Sequence, residues 1–342
     1  MPGDESIGER FPSNMTDQQR DLPVVGIVIG DPCGIGPEVV AKAWHTGQLL
    51  GCCRPVLIGS GAVMQDAARI AGLTLEVQVV DTPDQCAARS TVLDVIEPIV
   101  FDMSVVRQGH DVEHSGWASG MWLEYADRLA RAGTFDATVM GPISSTAMKM
   151  AGTLEQIESQ KPNGACLLLR SAPLMIAHLT DHVPFREVPG LVQRESVAKL
   201  IRTIDASMRK WGIAGRRIAV AGLNPHAYGR EEDEAITPAI AMARAEGIDV
   251  VGPISPDSVF RQCIEGRYDV VIAMYHDQGH IAIKTWGFSG NSVVMVGPPY
   301  VHTTVAHGVA YEIAGTGRAD HEMILNAILN AAYLSSGRGF YQ

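Results

Sequence analysis

The segment 275–284 has the densest set of reactive side chains in the protein. It reads YHDQGHIAIK and contains two histidines, an aspartate and a lysine: His276, His280, Asp277 and Lys284. The run before it, 268–274, is rich in β-branched residues, which predicts a strand buried on both faces. Ligands of open α/β sheets bind at the carboxyl ends of such strands. The pattern therefore predicts an active site that uses metal binding or acid/base chemistry.

Two further histidines also follow strand-like runs, His182 in LTDHVP and His226 in GLNPHA. Together with His276 they would suit Zn²⁺ or another divalent ion that keeps open positions for substrate oxygens. Taken alone, each histidine is more often a surface or core residue than a ligand. The separations of 44 and 50 residues match no local zinc signature. His178 would share a strand face with His182.

Two glycine-containing segments are candidates for ligand binding. The first, GDPCGIGPE at 30–38, is neither a dinucleotide fingerprint nor a P-loop. It is equally a tight strand-to-helix turn or an active-site loop at a helix N-terminus. Within it, Cys33 is interpreted as a small turn residue, because no neighbouring basic group would lower the pKa of its thiol. The second segment, 303–320, could hold an adenine and ribose or could be a connecting loop.

Alternating elements must position these residues. Apolar strand-like runs occur at 24–29, 55–58, 137–140, 217–221 and 268–274, and helix-like stretches at 37–49, 61–71, 118–132, 194–211, 233–246 and 321–335. This alternation predicts an α/β fold with a mainly parallel sheet covered by helices.

Composition limits the class of protein. With 342 residues and 46% hydrophobic content the chain can bury a large core, as one α/β unit or two lobes. A net charge of −11 argues against nucleic-acid binding and favours small-molecule partners. No run of about 20 apolar residues suggests a membrane span. Residues 1–21 are expected to be a disordered tail. Six cysteines without a CxxC pair predict reduced thiols in a cytoplasmic protein.

Five segments together resemble the 4-hydroxythreonine-4-phosphate dehydrogenase (PdxA) family, in the isocitrate/isopropylmalate dehydrogenase superfamily. They are GDPCGIGPE, GLNPHA, GPISPDSVF, YHDQGHIAIK and AHGVAYEIAGTGRAD, and the resemblance spans about 24–332. It implies a two-lobed α/β/α fold with the active site in the interlobe cleft. One lobe would comprise 22–140 plus 308–342. The other, 141–307, would carry the metal ligands and the interface of a homodimer with a shared active site.

The resemblance also implies roles for individual residues. The three metal ligands, gathered from two subunits, would be His182, His226 and His276. Zinc is the first expectation for the ion, with Mg²⁺, Mn²⁺ and Co²⁺ as alternatives. The catalytic residues would be Lys284, Asp277 and Asp257. The cofactor would be NAD, with NADP as the alternative, bound by His307, Gly308, Ala310, Ile313, Gly315 and Asn224.

Several positions depart from the family pattern. Ser144 and Ser145 stand where the family has a His-Lys pair, and the substrate loop at 154–164 is shorter. His302 occupies the position of the phosphate-binding arginine, and Val293 that of its asparagine partner, with Asn291 nearby. Substrate contacts are therefore expected from Lys284, Asn291, His302, Ser144 and Ser145. A second branch of the family, which oxidises the cis-dihydrodiol of terephthalate, resembles this chain in HDQGHI and in a histidine matching His178.

These features predict a metal- and NAD-dependent dehydrogenase that oxidises, and decarboxylates, a β-hydroxy acid similar to 4-hydroxythreonine-4-phosphate. An alternative substrate is a non-phosphorylated acid such as an aromatic cis-dihydrodiol carboxylate. Two alternatives come from other classes of protein. One is a metal-dependent hydrolase or aldolase that uses the same imidazoles without a nucleotide. The other is a catalytically inactive binding relative.

Overall fold

The computed structural model describes residues 21–87, 89–157, 165–287 and 292–341. The chain divides into two compact units, one of Met1–Leu154 with His307–Ala332, the other of Glu155–Ala306 with Tyr333–Gln342. The α/β class predicted from the sequence is confirmed. The expected cleft site stays a prediction, and all of the expected tail except Asp21 lies outside the described residues.

The described residues form strands and α-helices in both units. The strands are β1 Val24–Val28, β2 Arg54–Ile58, β3 Glu76–Val80, β4 Val92–Ile96, β5 Ala137–Met140, β6 Cys166–Ser171, β7 Leu174–His178, β8 Ile218–Ala221, β9 Val250–Ile254, β10 Val270–Ala273, β11 Ser292–Val296 and β12 Val301–Thr304. The helices are α1 Gly36–His45, α2 Gly61–Ile70, α3 Glu113–Arg131, α4 Ser145–Met150, α5 Val188–Leu191, α6 Arg194–Lys210, α7 Thr237–Ala245, α8 Val259–Ile264, α9 His276–Trp286 and α10 Glu322–Ser335. Within the described ranges, no helix is both long and apolar enough to cross a membrane.

The first unit contains a parallel sheet of order β3-β4-β2-β1-β5. Strand β1 is almost wholly buried, as expected for a parallel strand covered on both faces. The turn after β1 requires glycine at position 30, where φ is 86°. A Cβ there would lie 2.3 Å from the carbonyl oxygen of Pro142, in the turn after β5. The two turns therefore approach each other backbone to backbone.

The second unit has a mixed sheet of order β12-β11-β6-β7-β10-β8-β9. Strands β12, β11, β6 and β7 pair antiparallel, whereas β7, β10, β8 and β9 pair parallel. The sequence analysis predicted strands at β8 and β10 of this unit, and a strand-like run before His182 that corresponds to β7. The antiparallel pairing of β12, β11, β6 and β7 was not predicted, because these strands are short and no helix-like stretches separate them.

The unit boundaries differ from those inferred by resemblance. Residues 141–154 belong to the first unit, where the Thr153 hydroxyl donates a hydrogen bond to the Gly116 carbonyl of α3 at 2.9 Å. The end of the chain, 333–342, belongs to the second unit. There the Phe340 ring packs edge-on against Trp211 with 6.5 Å between centroids. These local contacts explain why both segments lie in the opposite unit from the one expected.

Helix α9 is the element with the largest consequence for function, and the sequence analysis did not predict it. The segment His276–Trp286 contains Gly279, which lowers helix propensity by about 1 kcal/mol relative to alanine. A Cβ at Gly279 would lie 2.2 Å from His178 Nε2 on β7. Glycine is therefore required because the helix backbone packs directly on that imidazole.

Candidate metal and substrate site

Two parallel strands bring the reactive segments side by side. His178 is in register with Ala273, so β7 and β10 end at the same level of the sheet. Beyond the paired residues, the Leu179 amide donates to the Ala273 carbonyl at 2.8 Å. The Thr180 hydroxyl likewise donates to the Met274 carbonyl at 3.0 Å. The residues after β7 and the first turn of α9 are therefore neighbours.

A cluster of four histidines forms at these strand ends. The rings of His276 and His280, one helical turn apart on α9, stack with centroids 3.7 Å apart and an angle of 14°. His182 lies 4.9 Å from His276, and His178 lies 4.7 Å from His280, between centroids. The structure thus brings together two of the three expected metal ligands, with two further imidazoles beside them.

Three residues of this region are arranged to hold a cation. Ligand atoms of Asp181, His182 and His276 all lie within 4.8 Å of one another. Both carboxylate oxygens of Asp181 are buried and accept no hydrogen bond from the described residues. His276 Nδ1 lies 2.7 Å from Asp277 Oδ1, so the Nδ1–H is donated there and the Nε2 lone pair is left for a ligand. Desolvated carboxylates need a compensating charge, so this donor set suits a divalent ion.

His226, the third expected ligand, does not join this group among the described residues of one chain. It follows β8, is exposed, and has a left-handed backbone with φ of 58°. It lines a cavity of about 780 Å³ together with Asp257 and Asp277. The resemblance expects ligands from two subunits, and that expectation stays a prediction.

The other predicted catalytic and substrate residues are placed as follows. Lys284 is exposed on α9, near enough to Asp277 for its charge to help lower the pKa of that carboxyl, although the largest cause is the hydrogen bond from His276. Asp257 is exposed and accepts a hydrogen bond from the Ser255 hydroxyl at 2.6 Å. His302 is buried on β12 with its ring 6.3 Å from Tyr300. Asn291 lies outside the described residues.

Ser144 and Ser145 belong to the first unit. Ser144 caps helix α4 by accepting a hydrogen bond from the Ala147 amide at 3.1 Å, and its hydroxyl donates to Asp111. Ser145 is exposed in the first turn of the same helix. A serine hydroxyl already used in a cap and an aspartate contact has little capacity left for substrate, so Ser145 is the more accessible of the two.

The predicted cofactor segment packs against the turn after β1. The Ile35 amide donates to the Val309 carbonyl at 3.0 Å. The Tyr311 hydroxyl lies 3.0 Å from Asp31 and 2.9 Å from Asp111. The loop so held contains five of the six predicted cofactor contacts: His307, Gly308, Ala310, Ile313 and Gly315. No atom lies within 4 Å of the position that a Cβ at Gly308 would occupy, so this part of the loop is open.

Asn224, the sixth predicted cofactor contact, lies in the second unit beside His226. Its side-chain amide donates to Glu231 at 2.9 Å and to Glu232 at 2.8 Å. Its backbone amide donates to Glu232 at 2.8 Å. The geometry assigns Asn224 to holding the turn that carries His226.

Burial keeps Cys33 unreactive, as the sequence analysis expected. The thiol is inaccessible, and desolvation raises its pKa. A thiol held protonated is a poor nucleophile. Cys33 therefore fills the turn after β1, in agreement with the interpretation from sequence.

Two imidazoles of the cluster are held neutral. Burial, reinforced by the nearby His280, lowers the pKa of His178 to about 3. Burial and the neighbouring His276 lower the pKa of His280 to about 4. The Nδ1–H of His178 is donated to the Leu167 carbonyl at 3.2 Å, and that of His280 to the His276 carbonyl at 3.1 Å. Each neutral ring therefore has its lone pair on Nε2, and that of His178 is buried without a partner among the described residues.

The neutrality of His178 predicts a pH dependence of stability. The unfolded chain protonates this residue near pH 6.5, whereas the folded protein does so only near pH 3. Because the folded pKa is depressed, the stability that this histidine contributes above pH 6.5 is lost as the pH falls. Between pH 7.5 and 5.5 the loss is about 1.4 kcal/mol. Urea unfolding in the presence of chelator should show this extra loss in wild type relative to His178→Leu. Identical pH dependence in the two proteins would contradict a neutral His178.

Sequence reasoning missed Asp181 as a candidate ligand. The residue directly precedes His182 at the end of a strand, and that adjacency was the available signal. What the sequence could not reveal is that the carboxylate is turned inward, with both oxygens buried and no hydrogen-bond donor to them in the described part of the chain.

Comparison with known proteins agrees with the α/β fold and shows the family. The family model described as pyridoxal phosphate biosynthetic protein PdxA matches residues 51–331. A protein of Novosphingobium aromaticivorans, named provisionally as a 4-hydroxythreonine-4-phosphate dehydrogenase, is 49% identical over 327 residues, 96% of this chain and 99% of that protein.

Two solved structures are similar over almost the same extent. A 4-hydroxythreonine-4-phosphate dehydrogenase from Burkholderia phymatum has 30% identity and a TM-score of 0.79, covering 92% of this chain and 98% of the other. A terephthalate 1,2-cis-dihydrodiol dehydrogenase from Burkholderia xenovorans LB400 has 28% identity and a TM-score of 0.66, covering 91% and 98%. Since the matches cover nearly the whole chain and carry the names of dehydrogenases, the protein belongs to the PdxA family of oxidoreductases.

Proposed function

We propose that the protein is an NAD⁺- and divalent-metal-dependent dehydrogenase that oxidises the secondary alcohol of a β-hydroxy acid, with loss of CO2 from the resulting β-keto acid. The observation that carries this proposal is the donor set Asp181, His182 and His276 at the adjacent ends of β7 and β10. Membership of a family of dehydrogenases supports the type of reaction.

A divalent ion bound there would supply Lewis-acid stabilisation of the substrate hydroxyl and of the enolate that decarboxylation produces. NAD⁺ would accept the hydride, and the loop 307–315 is our proposed site for its adenosine end. The protein's own residues orient the metal ligands and supply positive charge for the substrate. Asp277 accepts the Nδ1–H of His276 and so fixes the tautomer that exposes Nε2. Lys284, on the same helix, supplies the positive charge that a substrate carboxylate needs.

Two substrate types remain as candidates. The relatives' names favour an acid similar to 4-hydroxythreonine-4-phosphate. One observation favours a non-phosphorylated acid such as an aromatic cis-dihydrodiol carboxylate. The described residues lining the His226 cavity include Phe185, Tyr275 and Ile281 but neither lysine nor arginine. A phosphate group requires charge-assisted donors, whereas an aromatic ring is stabilised by such an apolar wall.

We also propose a homodimer with a shared active site. Two observations support it. His226 stands apart from His182 and His276 within one chain, although the family relationship expects all three to serve one ion. The Phe185 and Ile281 side chains at the His226 cavity are each 66% exposed, which is unusual for large apolar groups that face only water.

A substrate screen tests the proposed function directly. The purified protein is incubated with NAD⁺ or NADP⁺, with Zn²⁺, Mn²⁺ or Mg²⁺, and with β-hydroxy acids of both types. The phosphorylated set contains 4-hydroxythreonine phosphate and 4-phosphothreonate, and the other set contains tartrate-like acids and aromatic cis-dihydrodiol carboxylates. We expect reduced nucleotide to form with at least one acid, to stop on chelation and to resume on adding metal. Lactate, which has no β-hydroxyl, is the control.

The outcomes separate the alternatives. Turnover confined to phosphorylated acids would reject the aromatic candidate. Binding of neither nucleotide by calorimetry, together with no reduction, would reject a dehydrogenase and favour a hydrolase or aldolase. Retention of full activity in chelator would reject the metal.

A further inference from the structure

We propose that Asp181 is itself a metal ligand beside His182 and His276, so that the site adds a carboxylate to its histidines and binds Mn²⁺ with a preference that histidines alone would not give. This inference rests on the proposed function only in requiring a divalent ion at the strand ends.

The first argument is the state of the Asp181 carboxylate. Its side chain is 18% exposed, and both oxygens are buried without a hydrogen-bond donor among the described residues. An ionised carboxylate in that position is unfavourable unless a cation compensates it. The His182 imidazole, 2.9 Å away, offsets that charge only when it is protonated. A metal ion between Asp181, His182 and His276 would satisfy the carboxylate directly.

The second argument separates a ligand from an orienting residue. Asp181 Oδ1 lies 2.9 Å from His182 Nδ1, a distance at which a carboxylate could simply orient the ring. The contact does not have hydrogen-bond geometry, however, so neither oxygen accepts a hydrogen bond from the part of the chain that the structure describes. His276 shows the contrasting case, because Asp277 is 72% exposed and makes an aligned contact of 2.7 Å to Nδ1. Asp277 therefore orients, whereas Asp181 is placed to coordinate.

The third argument concerns the choice of ion. Imidazole ligands alone carry no charge and suit Zn²⁺ and other late ions, whereas carboxylate oxygen suits Mn²⁺. Adding Asp181 to the imidazoles adds one negative charge and one hard oxygen ligand. We therefore expect Mn²⁺ binding to depend on Asp181 more strongly than Zn²⁺ binding does.

The decisive variant is Asp181→Asn. Asparagine keeps an oxygen that can accept a hydrogen bond from His182 Nδ1 but loses the charge that a hard cation requires. The matched control is Glu187→Gln, which removes the same charge from an exposed side chain in the same connection after β7. Mn²⁺ affinity is measured on the full-length protein by electron paramagnetic resonance, and Zn²⁺ affinity by competition with a chromophoric chelator.

We expect Asp181→Asn to weaken Mn²⁺ binding by at least about tenfold, with a smaller loss for Zn²⁺, and Glu187→Gln to leave both affinities unchanged. Unchanged Mn²⁺ affinity in Asp181→Asn would show that the residue only orients His182 and would overturn the inference. Equal losses in the two variants would overturn it as well, because they would reflect charge alone. Wild-type protein that binds neither ion would instead contradict the metal in the proposed function.

Discussion

Replacing His276 with alanine is expected to lower kcat/KM for NAD⁺ reduction by about a thousandfold, equivalent to about 4 kcal/mol of transition-state stabilisation. The imidazole occupies the first turn of α9 with its Nδ1 against Asp277, and it belongs to the donor set of Asp181, His182 and His276. Loss of the ring would remove one of the three donors of the proposed metal site.

The measurement is initial rates on the best acid from the substrate screen, with Mn²⁺ affinity determined in parallel. His110→Ala is the matched control. His110 is an exposed histidine of the first unit, and its ring Nδ1 contacts the Gln108 carbonyl. It should retain wild-type rates. If His276→Ala turned over normally with chelator present, the metal mechanism would be wrong.

Replacing Gly30 with alanine is expected to destabilise the protein by about 2 kcal/mol more than the same replacement at Gly72. Both glycines have a left-handed backbone, with φ of 86° and 69°, so both variants carry about 1 kcal/mol of backbone strain. The two positions differ in the free space that is available for an added Cβ. A Cβ at position 30 would lie 2.3 Å from the Pro142 carbonyl oxygen, whereas nothing lies within 4 Å at position 72.

The Pro142 oxygen cannot easily move away, because it accepts a hydrogen bond from the Asp31 amide at 2.8 Å. Urea unfolding followed by circular dichroism compares the two variants. Equal destabilisation would mean that the turns after β1 and β5 separate without cost, and would refute the close approach.

The sequence predicted those elements whose patterns are local. Buried parallel strands such as β1, β5 and β10 appear in the sequence as short apolar runs. The turns that follow them appear as clusters of glycine and proline. Helices α1 and α6 likewise showed in the sequence, within a few residues of their ends. The antiparallel half of the second sheet was not predicted, because short strands without intervening helices give no distinct hydrophobic period.

Helix α9 shows why a motif can be recognised while its structure is not. HDQGHIAIK was singled out for its chemistry, yet no helix was predicted there, and its glycine lowers helix propensity. Tertiary packing reversed that preference, since Gly279 allows the helix to lie on His178. Only then do His276 and His280 stack and Asp277 turn to the His226 cavity.

The sequence by itself determined the α/β class, the family and the identity of the residues at the ends of the central strands, because these depend on residue type and local period. The tertiary structure decided which of those residues meet. It placed His182 beside His276 through the register of β7 and β10, and left His226 apart in the same chain. It also turned Asp181 inward, with no hydrogen-bond donor within the described ranges, which only the packing around it could reveal. Contacts between residues nearly a hundred positions apart follow from strand pairing and burial, which no local pattern records.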